Sequence, residues 1–192
     1  MPGCARIVPD EYRHHQRPPQ VCPPCGPAVL VVSRDADILS ALERAFSTAP
    51  RPVHFTDFAH CAECTEHDER LQACAREALH LEDVGYAAFD PFCVALPESF
   101  AYFLPSLARL ALAPPSAEHG WYGTQLLFHL MAERHGNGFY RICTSAQRQA
   151  VARFLRHLLE TRASLVEADC ATHALTDCYS LWSTAPSLRV LN

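Results

Sequence analysis

The segment TSAQRQAVARFLRHLLE, residues 144 to 160, indicates most clearly how this chain folds. Its large apolar residues recur at intervals of three and four, which is the spacing of one face of an α-helix. They are Val151, Phe154, Leu155, Leu158 and Leu159, and Leu165 and Val166 beyond the segment continue the same face. Thr144 and Gln147 have the spacing of a capping box, in which each side chain bonds the backbone amide of the other. The segment therefore predicts an amphipathic helix that begins at Thr144 or Ser145.

Shorter stretches with helical spacing lie on both sides of this segment. They cover about residues 36–48, 66–80, 96–111 and 121–134, and then 175–182. We expect Asp35 or Asp37 to cap the first of these helices. Pro105 lacks an amide hydrogen, so it must kink the third helix or begin a further one. Gly136-Asn137-Gly138 is expected to end the fourth, because these residue types tolerate positive φ.

Little of the remaining sequence favours β-structure. The segment AVLVV, residues 28 to 32, is short and β-branched, and we expect a single strand or an extended lead-in there. Five or more helices without an internal repeat predict an all-α or α-rich fold, with at most one or two short strands if it is α+β. We expect a compact helical bundle with irregular connections.

The N-terminal residues 1 to 27 differ in composition from the rest of the chain. They are rich in proline and show no hydrophobic period, which predicts a flexible tail. His14, His15, Cys22 and Cys25 could bind a metal there, but the composition favours the tail. Residues 28 to 192 are then expected to form a single α-rich domain that contains the His/Cys motif at 60–67.

Composition and charge restrict the function and the location. The net charge is -5, from 21 acidic and 16 basic residues, so binding to nucleic acid is not expected. No apolar run is long enough to span a membrane, and no signal pattern is present, so we expect a cytoplasmic protein with reduced thiols. All the basic residues are Arg, and Ala and Pro are abundant, which indicates a GC-rich, bacterial source.

The chemically distinctive stretch is HCAECTEH, residues 60 to 67. Cys61, Cys64 and His67 have the spacing C-x2-C-x2-H, and His60 adjoins the first cysteine. A tight turn lets two thiolates at this spacing point at one ion, and a helix beginning near Cys64 would lower the thiolate pKa. Mixed sulfur and imidazole ligation favours Zn²⁺. The sequence thus predicts a zinc site made of Cys61, Cys64, His67 and His60.

A fourth ligand at standard spacing is missing from the motif. The candidates elsewhere are His54, Asp57, His80 and Cys93, and His60 is less favoured because adjacent residues rarely both reach one ion. Glu66 and Asp68 could orient a ligand or act as a general base, although charges at a helix N-terminus are the simpler interpretation.

Two other interpretations of the motif stay open at this point. Cys61 and Cys64 could be a thiol–disulfide exchange pair tuned by His60 or His67, although the usual βαβ context of such pairs is absent. The thiols and histidines could also be purely structural. The other cysteines of the helical part are expected to be small core residues. These are Cys74, Cys93, Cys143, Cys170 and Cys178.

Aromatic residues cluster in two further places. The segments FAYF, residues 100–103, and WYG, residues 121–123, together with Phe128 and His129, could line a pocket, although core packing is the better interpretation. No Ser/His/Asp signature, phosphate-binding glycine loop or HExxH motif is present, so we assign no catalytic or cofactor-binding residue.

Several motifs together resemble a bacterial family of uncharacterised proteins. They are HCxxCxxHDE at 60–69, LEDVG at 81–85, Asp90-Pro91, LPExFxYFLP at 96–105 and the helix 147–159. The likeness covers roughly residues 36 to 183 and leaves the N-terminal tail outside. The family is a domain of unknown function, so the resemblance implies no catalytic residues.

From these observations we expect a zinc-binding accessory or protein-interaction module with a protein partner and no membrane or nucleic-acid partner. Any small-molecule substrate is unknown. The rival is a metal- or thiol-dependent enzyme that uses Cys61, Cys64 and His67, although the absence of catalytic signatures favours a non-enzyme. A third hypothesis is an immunity-like protein that binds a partner and no metal.

Overall fold

Nine α-helices lie within residues 26–132 and 136–184, the part of the chain that this computed structural model describes. They are α1 (Gly26–Ala45), α2 (Ala62–Ala73), α3 (Leu81–Val84), α4 (Pro97–Leu112), α5 (Tyr122–Met131), α6 (Gly138–Ile142), α7 (Ser145–Thr161), α8 (Ala163–Ala168) and α9 (Thr172–Ser183). Within the same ranges there is no β-strand, only two isolated bridges. The predicted all-α fold is therefore confirmed.

Helix α7 begins as its sequence predicts. Thr144 Oγ1 accepts the amide of Gln147 at 3.2 Å, and Gln147 Oε1 accepts the amide of Thr144 at 2.8 Å, which completes the capping box. The apolar face is buried and packs between α1 and α9. The helix ends at Thr161, so Leu165 and Val166 beyond it belong to the separate helix α8.

Helix α1 corrects two predictions. Residues 28–32, expected as a strand or an extended lead-in, are helical, and Pro27 fits the first turn because no helical bond is lost there. Asp35 lies inside the helix and caps nothing. Its carboxylate lies 2.5 Å from His157 Nε2 and accepts a hydrogen bond from Arg162 Nη2 at 2.7 Å, which joins α1 to the end of α7. Of the predicted tail, residues 1–27, residues 1–25 lie outside the described part, and Gly26 and Pro27 belong to α1.

Helix α4 forms the centre of the core. It is one continuous helix with Pro105 inside it, so no second helix begins at this proline. Its buried residues include Phe100, Phe103 and Leu107. The indole of Trp121 donates to the carbonyl of Ala111 at 2.8 Å, which satisfies the one polar atom of a ring that is otherwise buried in the core.

The segment Gly136-Asn137-Gly138 begins a helix, whereas the sequence predicts that it ends one. Asn137 is the N-cap of α6, and its Oδ1 accepts the amide of Tyr140 at 3.0 Å. Its Nδ2 donates to the carbonyls of His129 and Ala132 at 3.0 and 2.9 Å. The buried side-chain amide of Asn137 therefore forms hydrogen bonds with both the end of α5 and the start of α6.

The segments before α4 are irregular and contain α2, α3 and three 3₁₀ turns. These turns are Arg76–Ala78, Ala87–Phe89 and Pro91–Cys93. The expected helix over 66–80 is α2, which starts four residues earlier and ends at Ala73. The loop before α2 is bonded to the start of α4, since the Leu96 amide and Ser99 Oγ donate to the Phe55 carbonyl at 2.8 and 2.7 Å. Among the described helices, none has the length and apolar character to cross a membrane.

Candidate functional site

The HCAECTEH motif lies at the start of α2. Cys61 is the N-cap residue with extended backbone, and its sulfur accepts the amide of Cys64 at 3.5 Å. A cysteine replaces the usual Ser, Thr or Asp at this position, and the cap points its sulfur across the first turn of the helix. Cys64 is therefore one turn further along on the same side.

Three potential ligands converge at this helix start. Cys61 Sγ lies 3.4 Å from Cys64 Sγ, and Cys64 Sγ lies 3.7 Å from His60 Nδ1. All three ligand atoms lie within 4.8 Å of one another. In a tetrahedral zinc site two sulfurs are about 3.8 Å apart, and a sulfur and a nitrogen about 3.5 Å. The first cluster, as we call His60, Cys61 and Cys64, has nearly this spacing.

The two sulfurs of the first cluster have different environments. Cys61 is exposed, and its pKa is lowered to about 7, first by the amide of Cys64 and then by the side chains of Cys64 and His60. Cys64 is only 4% exposed, and its side-chain hydrogen bond with Cys61, which favours the protonated thiol of Cys64, raises its pKa together with burial. Cys61 is thus the reactive sulfur and Cys64 the sheltered one.

His67 lies apart from the first cluster. Its ring is buried, with the ring centroid 4.4 Å from that of Phe89, and its Nε2 lies 3.6 Å from Glu63 Oε1. His67 Nδ1 is buried without a hydrogen-bond partner among the described residues. The structure therefore brings together three of the four predicted ligands, His60 included, and leaves His67 against an aromatic ring.

The candidates for a fourth ligand have separate positions. His54 Nδ1 lies 2.8 Å from Asp68 Oδ2, and its ring stacks on Phe58 with centroids 3.8 Å apart. His80 is in the capping box of α3. Asp57 is exposed, and its charge contributes to the raised pKa of Cys64.

Asp68 holds the loop that precedes the first cluster. Its buried carboxylate accepts the amides of Phe55 and Thr56 at 2.5 and 3.2 Å and the side-chain amide of Gln72 at 2.6 Å. Burial raises the pKa of Asp68, but the contacts with His54 and the backbone amides outweigh burial, and the pKa is lowered overall. Asp68 is therefore a structural anchor, and Glu66 is exposed on the surface of α2.

A second group forms where α5 meets the 3₁₀ turn Pro91–Cys93. Asp90 Oδ2 lies 2.6 Å from His129 Nε2 and also accepts a hydrogen bond from Gln125. Asp90 Oδ1 accepts the amide of Phe92 at 2.9 Å. Asp90, Cys93 and His129 each offer one ligand atom, and these three atoms lie within 4.8 Å of one another. These three residues are the second cluster.

The second cluster borders a cavity of about 370 Å³ that Cys93 and His129 line. Its other walls are mainly apolar and aromatic, and they include Phe100, Phe128 and Phe139. The sequence interpretation of these aromatics is therefore half right. Phe100, Phe128 and His129 line a cavity, whereas Phe103 and Trp121 pack in the core.

The expectation that the other cysteines fill the core holds for two of them. Cys143 and Cys178 are buried, and burial raises the pKa of each to about 12. Cys93 and Cys170 are exposed, and Cys74 is half-buried. The pKa of Cys93 is raised by burial of its sulfur and by the charges of Asp90 and Glu63.

Sequence reasoning missed Asp90 and His129 as partners because they lie 39 residues apart. No spacing rule connects a residue before a 3₁₀ turn with a residue inside a helix. Their pairing depends on how α5 packs against the turn, and a histidine on an apolar helix face was the single available signal.

Comparisons of this chain with family models, with curated proteins and with solved structures find no match. The fold and the two clusters define an all-α protein with grouped sulfur, imidazole and carboxylate ligands. What it does must be inferred from the geometry of these groups.

Proposed function

We propose that this protein is a zinc-binding module for protein interaction, with the ion held by His60, Cys61 and Cys64. The observation that carries the proposal is the separation of their ligand atoms, 3.4 Å between the sulfurs and 3.7 Å between Cys64 Sγ and His60 Nδ1. These distances differ by only a few tenths of an ångström from the edges of a zinc tetrahedron. Along these two edges, binding requires little movement beyond the loss of the thiol protons.

The nature of the ligands favours zinc over other divalent ions. Two thiolates and one imidazole are soft and borderline donors, whereas Mg²⁺ and Ca²⁺ bind oxygen ligands. The amide of Cys64 at the start of α2 stabilises the negative charge of the Cys61 thiolate. Deprotonation of Cys61 is also easy, because its pKa of about 7 lies close to neutral pH.

The fourth corner of the tetrahedron faces the protein surface, because His60 and Cys61 are exposed. Val53 and Phe58, in the loop before the cluster, are 82% and 42% exposed. Exposed apolar side chains in the loop that leads to an incompletely ligated ion suit a partner that supplies the fourth ligand and covers these side chains. The proposed partner is therefore a protein with a His, Cys or carboxylate side chain at its contact surface.

Metal analysis of the full chain, purified without a His tag, tests the proposal. In the Cys93→Ser background, which removes the sulfur of the second cluster, we expect zinc to bind with two sulfurs and two lighter ligands in X-ray absorption spectra. The variant Cys61→Ser/Cys64→Ser should lose this signature, while the control Cys170→Ser, which changes an exposed cysteine outside the cluster, should keep it. Zinc that binds the double variant with the same spectrum would refute the assignment.

The same geometry favours a second function, thiol–disulfide exchange. Exposed Cys61 would attack a substrate disulfide and release one substrate sulfur, which takes up a proton as a thiol. Buried Cys64 lies 3.4 Å away, close enough to attack the mixed disulfide. That second step gives a Cys61–Cys64 disulfide and the other substrate thiol, so two electrons pass from the cysteine pair to the substrate.

Equilibration of metal-free protein with glutathione redox buffers tests this second function. We expect a reversible Cys61–Cys64 disulfide, and we expect Cys64→Ser to accumulate a mixed disulfide at Cys61. If the pair stays reduced across the whole range of buffers, the exchange function is excluded. That result would leave the zinc proposal unaffected.

A further inference from the structure

The second cluster can bind a metal independently of the first. We propose that Asp90, Cys93 and His129 form a second site, which takes a divalent ion of the zinc type and leaves one coordination position open to the adjoining cavity. Their ligand atoms lie within 4.8 Å of one another. Three protein ligands and an open position are typical of catalytic zinc sites, whereas structural sites are closed by four ligands.

The surroundings of Asp90 are built to hold a ligand in place. Its carboxylate is 2% exposed and is fixed by the amide of Phe92 and the side chain of Gln125. Such hydrogen bonds to a carboxylate orient it and are a usual feature around bound metals. His129 is buried among aromatic rings and approaches the same carboxylate oxygen at 2.6 Å.

Binding of an ion requires a small, defined rearrangement. In a tetrahedral site a carboxylate oxygen and an imidazole nitrogen lie about 3.3 Å apart, so the ion must separate Asp90 and His129 by about 0.7 Å. His129 lines the cavity of about 370 Å³, which adjoins the ring. As the ion binds, the thiol of Cys93 gives its proton to solvent, and the proton shared by His129 Nε2 and Asp90 leaves that nitrogen, so that the neutral imidazole carries its proton on Nδ1.

Charge favours a cation at this place. The negative charges of Asp90 and Glu63 both lie close enough to influence Cys93, and among the residues that the structure describes no Arg lines the cavity. The hydroxyl of Tyr122 is buried without a hydrogen-bond partner among the described residues. Burial, and then the charges of Asp90 and Cys93, raise its pKa. A divalent ion would compensate the negative charges of Asp90, Glu63 and the Cys93 thiolate, whereas an anion bound in the cavity would add to them.

Cobalt titration of the full-length Cys61→Ser/Cys64→Ser variant tests the second site with the first one removed. We expect one Co²⁺ per chain with a thiolate-to-cobalt absorption band, about half as intense as a two-thiolate site gives. Adding Cys93→Ser should abolish the band, while adding Cys170→Ser should leave it unchanged. A double variant without the band, or a band that survives Cys93→Ser, would overturn the proposal.

Alkylation of the unmodified chain gives a second readout that needs no variant to fold. Zinc should slow the alkylation of Cys93 by about tenfold, since a metal-bound sulfur is a poor nucleophile. Cys170 is also exposed and serves as the internal reference. Equal modification of Cys93 with and without zinc would refute the site. Failure of the second site here would leave the first cluster untouched, because the two share no residue.

Discussion

The two clusters differ in how the chain assembles them. The first cluster lies within five consecutive residues at the start of one helix, and two of its three members are exposed. The second cluster joins residues 90 and 93 to residue 129, and Asp90 and His129 are buried. One helix start and its cap suffice to bring Cys61 and Cys64 of the first cluster together. The second exists only while α5 is packed against the turn Pro91–Cys93.

This difference indicates what holds the ligands of each cluster in place. Residues of the first cluster remain neighbours in an unfolded chain, so the metal itself can order them. The second cluster contains a buried acid and a buried imidazole that depend on each other, so the fold must keep them paired. Removal of a ligand from the first cluster should therefore weaken metal binding. Removal of a buried member of the second cluster, Asp90 or His129, should destabilise the fold.

The largest effect should follow removal of the buried acid. Asp90→Ala leaves His129 and the Phe92 amide without their acceptor, and we expect the free energy of unfolding to fall by about 3–5 kcal/mol. Urea unfolding followed by circular dichroism measures it. The matched control Asp57→Ala removes an exposed carboxylate beside the first cluster and should change stability by no more than about 0.5 kcal/mol. Equal losses in the two variants would abolish the distinction between the clusters.

Metal binding at the first cluster should give the next largest effect. In a Cys93→Ser background, zinc at about 100 times its Kd should add about 2.7 kcal/mol of stability. For a chain of this size that corresponds to a rise in Tm of about 5–10 °C in calorimetry. Adding Cys61→Ser and Cys64→Ser should remove the whole increment. A Tm that responds to zinc equally in both chains would contradict ligation by these sulfurs.

Substitution of Asp68 should cause a smaller loss of stability, and the size of this loss should depend on pH. Asp68→Asn should lower the free energy of unfolding by about 2 kcal/mol at pH 7, because hydrogen bonds to a charged carboxylate are weakened. The folded pKa of Asp68 lies below its ordinary value of 3.8. The stabilisation is therefore complete above pH 3.8 and is lost as the pH falls through the folded pKa. Denaturant titrations at several pH values should show the two proteins converging in acid, and a constant difference would be inconsistent with this role.

The smallest effect separates the two histidines of the motif. His60→Ala should weaken zinc binding at the first cluster by at least about tenfold, since it removes a ligand. His67→Gln should leave the affinity unchanged, because His67 lies against Phe89 and outside the cluster. Competition with a chromophoric chelator measures both affinities in the Cys93→Ser background. A greater loss for His67→Gln would restore the ligand set that the sequence spacing predicts.

Local signals predicted the elements of this fold that depend on neighbouring residues. The capping box at Thr144 and the apolar face of α7 are as the sequence indicates. A helix at the HCAECTEH motif is also predicted, but α2 covers Ala62–Ala73 and not residues 66–80. Three local predictions were wrong, and for Asp35 and Asn137 contacts with other helices decided the outcome. Asp35 bonds α7 rather than capping a helix, residues 28–32 join α1, and Asn137 starts α6 through bonds to the end of α5.

The sequence by itself determined the helical class of this protein and the closeness of Cys61 and Cys64. Both follow from interactions between residues three or four apart, which act wherever the chain is helical. Only the tertiary structure decided that His60 joins those sulfurs, that His67 turns to an aromatic ring, and that Asp90 meets His129. The physical reason is that side-chain direction and burial depend on which elements pack together, and that packing is not encoded in any short spacing.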